Sequence, residues 1–161
     1  MDRFITLIAV VLLAAFWPAR VGATDAGPRK DIHLIWMGGN DCPPCVTWRA
    51  LELPKLQQSA EFKGIRFSYV VKGIRSPVPS RAFLPPEVAP LKEMLDEASG
   101  GRAGSPKGAL VVDGRIHDFF QGTRSAAEII AMITAVRAGT PYPFKRCLKA
   151  SAVSRKCERA A

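Results

Sequence analysis

Two cysteines separated by two residues carry the clearest chemistry in the chain. The stretch Asn40-Asp41-Cys42-Pro43-Pro44-Cys45-Val46-Thr47-Trp48 directly follows the apolar run Ile32-His33-Leu34-Ile35-Trp36. A C-x-x-C at the start of a helix reads as a redox-active dithiol. Unpaired backbone N–H groups and the helix dipole stabilise the first thiolate, and the second cysteine, one turn on, is within reach to close a disulfide. Only thiolates attack disulfides, so Cys42, expected to be the more exposed, is the nucleophile and Cys45 the resolving residue. Pro43 and Pro44 both lack an N–H, which leaves Cys42 the Cys45 amide and the dipole, while Asp41 adds a negative charge. All three motif-flanking residues push toward a weakly stabilised thiolate, hence toward a more reducing couple than that of a strong disulfide oxidant.

Other uses of the pair are a permanent disulfide or half of a metal site. Zinc wants a second closely spaced pair or suitable histidines. Cys147 and Cys157 have nine residues between them, and His33 and His117 stand alone, so no zinc site is expected and no cofactor is implied. Soft thiolates in an exported protein would suit Cu(I), which makes copper the metal to test.

The elements that must position the dithiol follow from the patterning. Asp31 to Trp36 reads as a short buried strand with Gly38-Gly39-Asn40 as the turn after it, so the motif sits at a strand-to-helix junction. Val46, Trp48, Leu51, Leu53, Leu56 and Phe62 recur at near-helical spacing, with Pro54 as a kink or boundary. Ile65 to Val71 is rich in β-formers and reads as a second strand, parallel to the first through a right-handed βαβ connection. Pro77, Pro79, Pro85, Pro86 and Pro90 mark the next stretch as a loop, read as a stiff connector, the alternative being a substrate-contacting lid. Pro86 then opens a helix with Val88, Leu91, Met94, Leu95 and Ala98 on its apolar face, ended by Gly100-Gly101. Two apolar runs around Asp113-Gly114 predict a β-hairpin. Ser125, with Glu128 three residues on, predicts the cap of a last helix carrying Ile129, Ile130, Ile133 and Val136. The order β-α-β-α-β-β-α implies an α/β fold: a mixed central sheet of about four strands, flanked by helices.

In that order the chain resembles the thioredoxin superfamily over about Asp31 to Ala138. The resemblance rests on Cys42-Pro43-Pro44-Cys45 after a strand and on Gly104-Ser105-Pro106 just before the hairpin. It implies a cis Ser105–Pro106 bond lying against the dithiol, with Ser105 and Pro106 contacting an extended substrate. Thioredoxin proper has Trp before its first cysteine and a buried acid in the preceding strand. Here Asp41 takes the first place, and only Ile35 or Trp36 stands near the second. Exported thioredoxin-like reductases are therefore the nearer comparison, with disulfide-containing or dithiol proteins, including an upstream electron donor, as partners.

The ends of the chain bear on where this chemistry would run. Arg3, the apolar segment Phe4 to Phe16 and Val21-Gly22-Ala23 have the layout of a secretory signal peptide, spanning residues 1–23. The apolar run is roughly a dozen residues, short of the ~20 of a spanning helix, so cleavage and a periplasmic or other extracytoplasmic location are expected. An uncleaved membrane anchor is the alternative. Residues 24–30 would form a linker, 31–138 the thioredoxin-like domain and 139–161 a basic tail. The net charge is +9, with Lys and Arg scattered and aromatics not interleaved among them, which reads as a solvated surface rather than a nucleic-acid interface, the alternative being a surface for anionic or acidic partners. In an oxidising compartment Cys147 and Cys157 read as a disulfide pinning the tail; a second redox pair that passes electrons to Cys42 and Cys45 is the sharper alternative. Two functions are open at this point: an exported thiol-disulfide oxidoreductase, or a thioredoxin-fold protein that holds copper or docks a partner without turnover.

Overall fold

The computed structural model describes residues 29–150 and 157–158, with the side chains of the last four of these positions excepted. The expected signal segment and most of the linker lie outside the described residues. In chain order come strand β1 (Ile32–Gly38), helices α1 (Pro43–Leu51), α2 (Leu53–Gln58) and α3 (Ala60–Lys63), strand β2 (Arg66–Val71), helix α4 (Lys92–Ser99), strands β3 (Lys107–Val112) and β4 (Arg115–Gln121), helix α5 (Ala126–Ala138), and the short antiparallel pair β5 (Lys149–Ala150) and β6 (Cys157–Glu158).

The main sheet has the order β2-β1-β3-β4. β1 and β2 are parallel, while β1–β3 and β3–β4 are antiparallel, so a βαβ unit and a hairpin share one mixed sheet of thioredoxin-like α/β topology. β1 is buried along its whole length because both faces are covered. Its alternation divides the interior in two. Ile32, Leu34 and Trp36 face Trp48 and Leu56 from α1 and α2, and Ile129, Met132 and Ile133 from α5. Ile35 and Met37 face Leu95 and Ala98 from α4, and Val78, Leu84 and Val88 from the proline-rich segment. Each fully buried aliphatic side chain contributes about 1.5–3 kcal/mol, so both layers are needed to hold β1 in place.

Local signals account for the boundaries. The helical run after the dithiol breaks between α1 and α2, where Pro54 occupies the first turn of α2; Ser59 then caps α3 by accepting from the Phe62 N–H. Asp113 and Gly114 both take positive φ, 49° and 76°, the conformation a two-residue type I′ hairpin requires. Ser125 and Glu128 form the complete capping box of α5. One expectation fails. No helix opens at Pro86; residues 81–83 and 89–91 form 3₁₀ turns, and α4 starts at Lys92. Pro90 is the reason, since an α-helix running through it from Pro86 would lack an N–H and crowd the carbonyl four residues earlier.

The first part of the tail is packed against the sheet edge. The Phe119 N–H donates to the Cys147 carbonyl at 2.8 Å, and the Cys147 N–H donates to Asp118 Oδ1 at 2.8 Å. Tyr142 donates its hydroxyl to Asp118 Oδ2 at 3.0 Å, and burial together with the Asp118 charge pushes the Tyr142 phenol up. Arg124 lies 3.9 Å over the Phe144 ring. The edge of β4 is thereby covered, which removes a template for pairing with another chain. Cys147 is disulfide-bonded. The side chain of Cys157, its expected partner, lies outside the described residues.

Asp118 is 1% exposed and accepts both tail hydrogen bonds. Asp118→Ala leaves the buried Cys147 amide and the half-buried Tyr142 hydroxyl without an acceptor and is expected to cost about 2–4 kcal/mol, read by urea unfolding with the disulfides intact. Lys145→Ala, an exposed change in the same segment, should alter stability by less than about 0.5 kcal/mol.

Candidate functional site

The dithiol stands where β1 ends. Cys42 is the N-cap of α1, extended at φ −118° and ψ 95°, and Pro43 and Pro44 fill the first turn, where a missing N–H costs nothing. Cys42 and Cys45 form a disulfide with Cα atoms 5.2 Å apart. Two expectations need correction. Cys42 was expected to be the more exposed cysteine, yet both residues are 0% exposed. The Cys45 amide was expected to serve the Cys42 thiolate, yet it donates to the Cys42 carbonyl at 2.9 Å, as does the Val46 amide at 3.1 Å. Those bonds close the first turn of α1 and engage the donors nearest the sulfur.

Gly38 is the last residue of β1 rather than part of the turn, and its lack of a side chain makes room for the disulfide. A Cβ there would lie 2.6 Å from Cys45 Sγ and 3.0 Å from Cys45 Cβ, closer than atoms pack. Behind this contact Trp36 and Trp48 stack with ring centroids 3.7 Å apart, and Trp48 Nε1 donates to the Arg124 carbonyl at 2.6 Å. The tryptophans flanking the motif are therefore core residues that fix α1 on β1. A groove of about 540 Å³ runs along α1 on its Pro44 side, lined by Trp48, Leu51 and Arg124 among others.

The Ser105–Pro106 peptide bond is cis, and Pro106 is buried. The residues just after β2 link this loop to the dithiol. Lys72 is 4% exposed, and its Nζ donates to the Gly104 carbonyl at 2.8 Å, to Ser105 Oγ at 2.7 Å and to the Gly73 carbonyl at 3.0 Å. Two residues on, the Ile74 N–H donates to Asp41 Oδ2 at 2.9 Å. The span 72–74 thus ties the residue preceding Cys42 to the loop carrying Ser105 and Pro106. Burial lowers the Lys72 pKa, opposed by the Asp41 charge. Lys107, wholly buried, donates to the Arg102 carbonyl, and burial followed by the neighbouring Lys72 and Arg102 charges brings its pKa down to about 8. The sequence pattern does not single out Lys72, which stands where the second predicted strand gives way to the proline-rich loop. Its three acceptors come from two distant segments, and nothing local marks it as buried.

His33 and His117 pack as expected of strand residues. His117 is edge-on to Tyr142 at 5.1 Å. His33 is 0% exposed, with Nε2 2.9 Å from Ser68 Oγ, and the Ser68 hydroxyl donates to Glu87 Oε1 at 2.6 Å. A serine proton committed to a carboxylate leaves Ser68 Oγ as an acceptor, so Nε2 carries the proton of a neutral ring. Nδ1 is buried without a partner among the described residues. Burial, then Arg66, lowers the His33 pKa. Among the described residues no group of three or more His, Cys, Asp or Glu could hold a metal ion, and no helix is long and apolar enough to cross a membrane.

No family model and no curated protein sequence matches the chain. Among solved structures, the chain is similar to the crystal structure of the N-terminal domain of PilB from Neisseria gonorrhoeae, with 19% identity and a TM-score of 0.42 over 66% of this chain and 78% of that one. The fold assignment rests on strand order and register, not on that likeness.

Two outcomes test this geometry. Gly38→Ala forces a methyl group against Cys45 and should cost about 1–3 kcal/mol, read by thermal unfolding of the oxidised protein. Protonating His33 places a buried N–H without an acceptor, so the unfolded chain binds that proton first and stability falls as pH drops below about 6.5. His33→Gln should flatten the dependence of the melting midpoint on pH between about 5 and 6.5, above the range where carboxylates titrate. An unchanged slope would contradict the tautomer assigned here.

Proposed function

We propose that the protein is an exported thiol-disulfide oxidoreductase that reduces or isomerises disulfides of partner proteins through Cys42 and Cys45. The observation that carries this reading is the Cys42–Cys45 disulfide at a strand-to-helix junction, with Cys42 as the helix N-cap. In the reduced protein the Cys42 thiolate attacks one sulfur of a partner disulfide, forming a mixed disulfide and releasing one partner thiolate. Cys45 then attacks Cys42 Sγ. The Cys42–partner bond breaks, the Cys42–Cys45 bond forms, and the second partner thiolate leaves, so that two electrons have passed to the partner. An upstream dithiol would restore the reduced pair by the same steps in reverse.

The surroundings of Cys42 support the reducing direction. Pro43 and Pro44 offer no N–H, the Cys45 and Val46 amides are engaged with the Cys42 carbonyl, and Asp41 is adjacent. A thiolate so poorly supported is a weak leaving group, and a disulfide built on it accepts electrons less readily than that of a strong oxidase. Lys72 serves as a positioning residue, since its bonds to Gly104 and Ser105 hold the loop that would present Ser105 and Pro106 to an extended partner segment. Because Cys42 has no exposed surface in the disulfide form, reduction starts with displacement of its cover. The Asp41–Ile74 hydrogen bond lies on the exposed side of the motif.

Cys45→Ser removes the resolving sulfur while Cys42 still attacks. Mixed disulfides on Cys42 are expected to accumulate with extracytoplasmic proteins, be released by reductant, and vanish when Cys42 is also replaced. Absence of any trapped protein, together with tight Cu(I) binding that requires both cysteines, would replace this reading with that of a copper-holding protein.

A further inference from the structure

The mechanism so far leaves the proton of Cys45 unaccounted for, and the thioredoxin-like pattern lacks the buried acid that would take it. Two buried donors near the end of β1 have no hydrogen-bond partner among the described residues: Trp36 Nε1 and Tyr69 Oη. They are register neighbours on the parallel strands β1 and β2, on the sheet face that α1 covers. The Tyr69 hydroxyl reaches toward Gly38. A Cβ at Gly38 would lie 3.4 Å from Tyr69 Oη and 2.6 Å from Cys45 Sγ, so oxygen and sulfur are separated by no more than the sum of those distances. The ring is held in place from outside. Arg49 of α1 stands 5.6 Å over its centroid, and Arg49 itself donates to Asn40 Oδ1 at 2.6 Å, two residues before Cys42.

Leaving a buried hydroxyl unpaired is unfavourable, and such groups are uncommon in folded proteins. Here the group lies near Cys45 Sγ, a sulfur that gains charge when the disulfide is reduced. In the disulfide, Cys45 Sγ is at most a weak acceptor; in the reduced protein its thiolate is a strong one. We infer that Tyr69 is a positioning residue for the resolving step, donating its hydroxyl to the Cys45 thiolate. Tyr69 acts through its hydroxyl as a hydrogen-bond donor. The proton of Cys45 leaves through solvent to the departing partner thiolate. The Cys45 thiolate, held by Tyr69, then attacks Cys42 Sγ, the Cys42–partner bond breaks and the Cys42–Cys45 bond forms. This inference rests on the oxidoreductase reading for its purpose, but the hydrogen bond it names exists whether or not the protein turns over.

Titration separates the two. In a Cys42→Ser background, with the tail disulfide left intact, the ultraviolet absorbance of the Cys45 thiolate gives its ionisation directly. Tyr69→Phe keeps the ring in place and removes only the donor, and is expected to weaken Cys45 ionisation about tenfold, raising its pKa by about one unit. In the otherwise intact dithiol the same substitution should shift the equilibrium with glutathione about tenfold toward the disulfide, about 30 mV more negative, at alkaline pH, where Cys45 is ionised. That difference should disappear at acid pH, where both thiols are protonated; a merely structural effect would persist there. An unchanged Cys45 titration in the folded single-thiol variant, or an unchanged alkaline potential in the intact dithiol, would overturn the role assigned to Tyr69. Failure of the wild-type protein to reduce insulin disulfides would instead overturn the oxidoreductase reading and leave the titration result standing.

Discussion

The close approach of Cys45 to Gly38 is the constraint on which the rest of the site depends. Here α1 begins on the dithiol at the end of the buried β1, where a side chain on the last strand residue would meet Cys45. Gly38 avoids that contact by omitting a Cβ that would lie 2.6 Å from the sulfur. The stacked Trp36 and Trp48, with their centroids 3.7 Å apart, keep α1 pressed against β1 so that the approach persists. The interior on the other face, from Ile35 and Met37 to Leu95, holds the strand from below. Remove either layer and the disulfide no longer has a fixed floor.

Much of this was legible in the sequence because it is encoded locally. The C-x-x-C after an apolar run, the Asp113-Gly114 hairpin, and Ser125 with Glu128 are short-range signals, and each specifies a backbone conformation that the fold adopts. The apolar spacing predicts a helix from Pro86, yet α4 starts at Lys92, because Pro90 lacks the N–H that the earlier start would need. What escaped notice arises from pairing between segments far apart in the chain. Lys72 is defined by acceptors at Gly104 and Ser105, Tyr69 by its register opposite Trp36, and Asp41 by the Ile74 amide. None of these leaves a trace in the spacing of residues along the chain.

Buried polar groups therefore distinguish this site more than its two cysteines do. The Lys72 ammonium donates to three acceptors and joins the cis-proline loop to the end of β2. The Tyr69 hydroxyl has no hydrogen-bond partner among the described residues in the disulfide form; the proposed acceptor is the Cys45 thiolate of the reduced protein. Around Cys42 the balance runs the other way, since two prolines, two engaged amides and a neighbouring carboxylate leave its thiolate with little support. The two sulfurs thus have different surroundings at the same junction.

The reduction potential of the Cys42–Cys45 couple, determined by thiol counting after equilibration in defined thiol-disulfide buffers, tests this account most directly. A pair that cycles as a reductase or isomerase, with a weakly supported Cys42 thiolate, is predicted to fall between roughly −180 and −270 mV. A value near about −120 mV, that of a strong oxidase, or a disulfide still closed below about −300 mV, as in an inert staple, would contradict it.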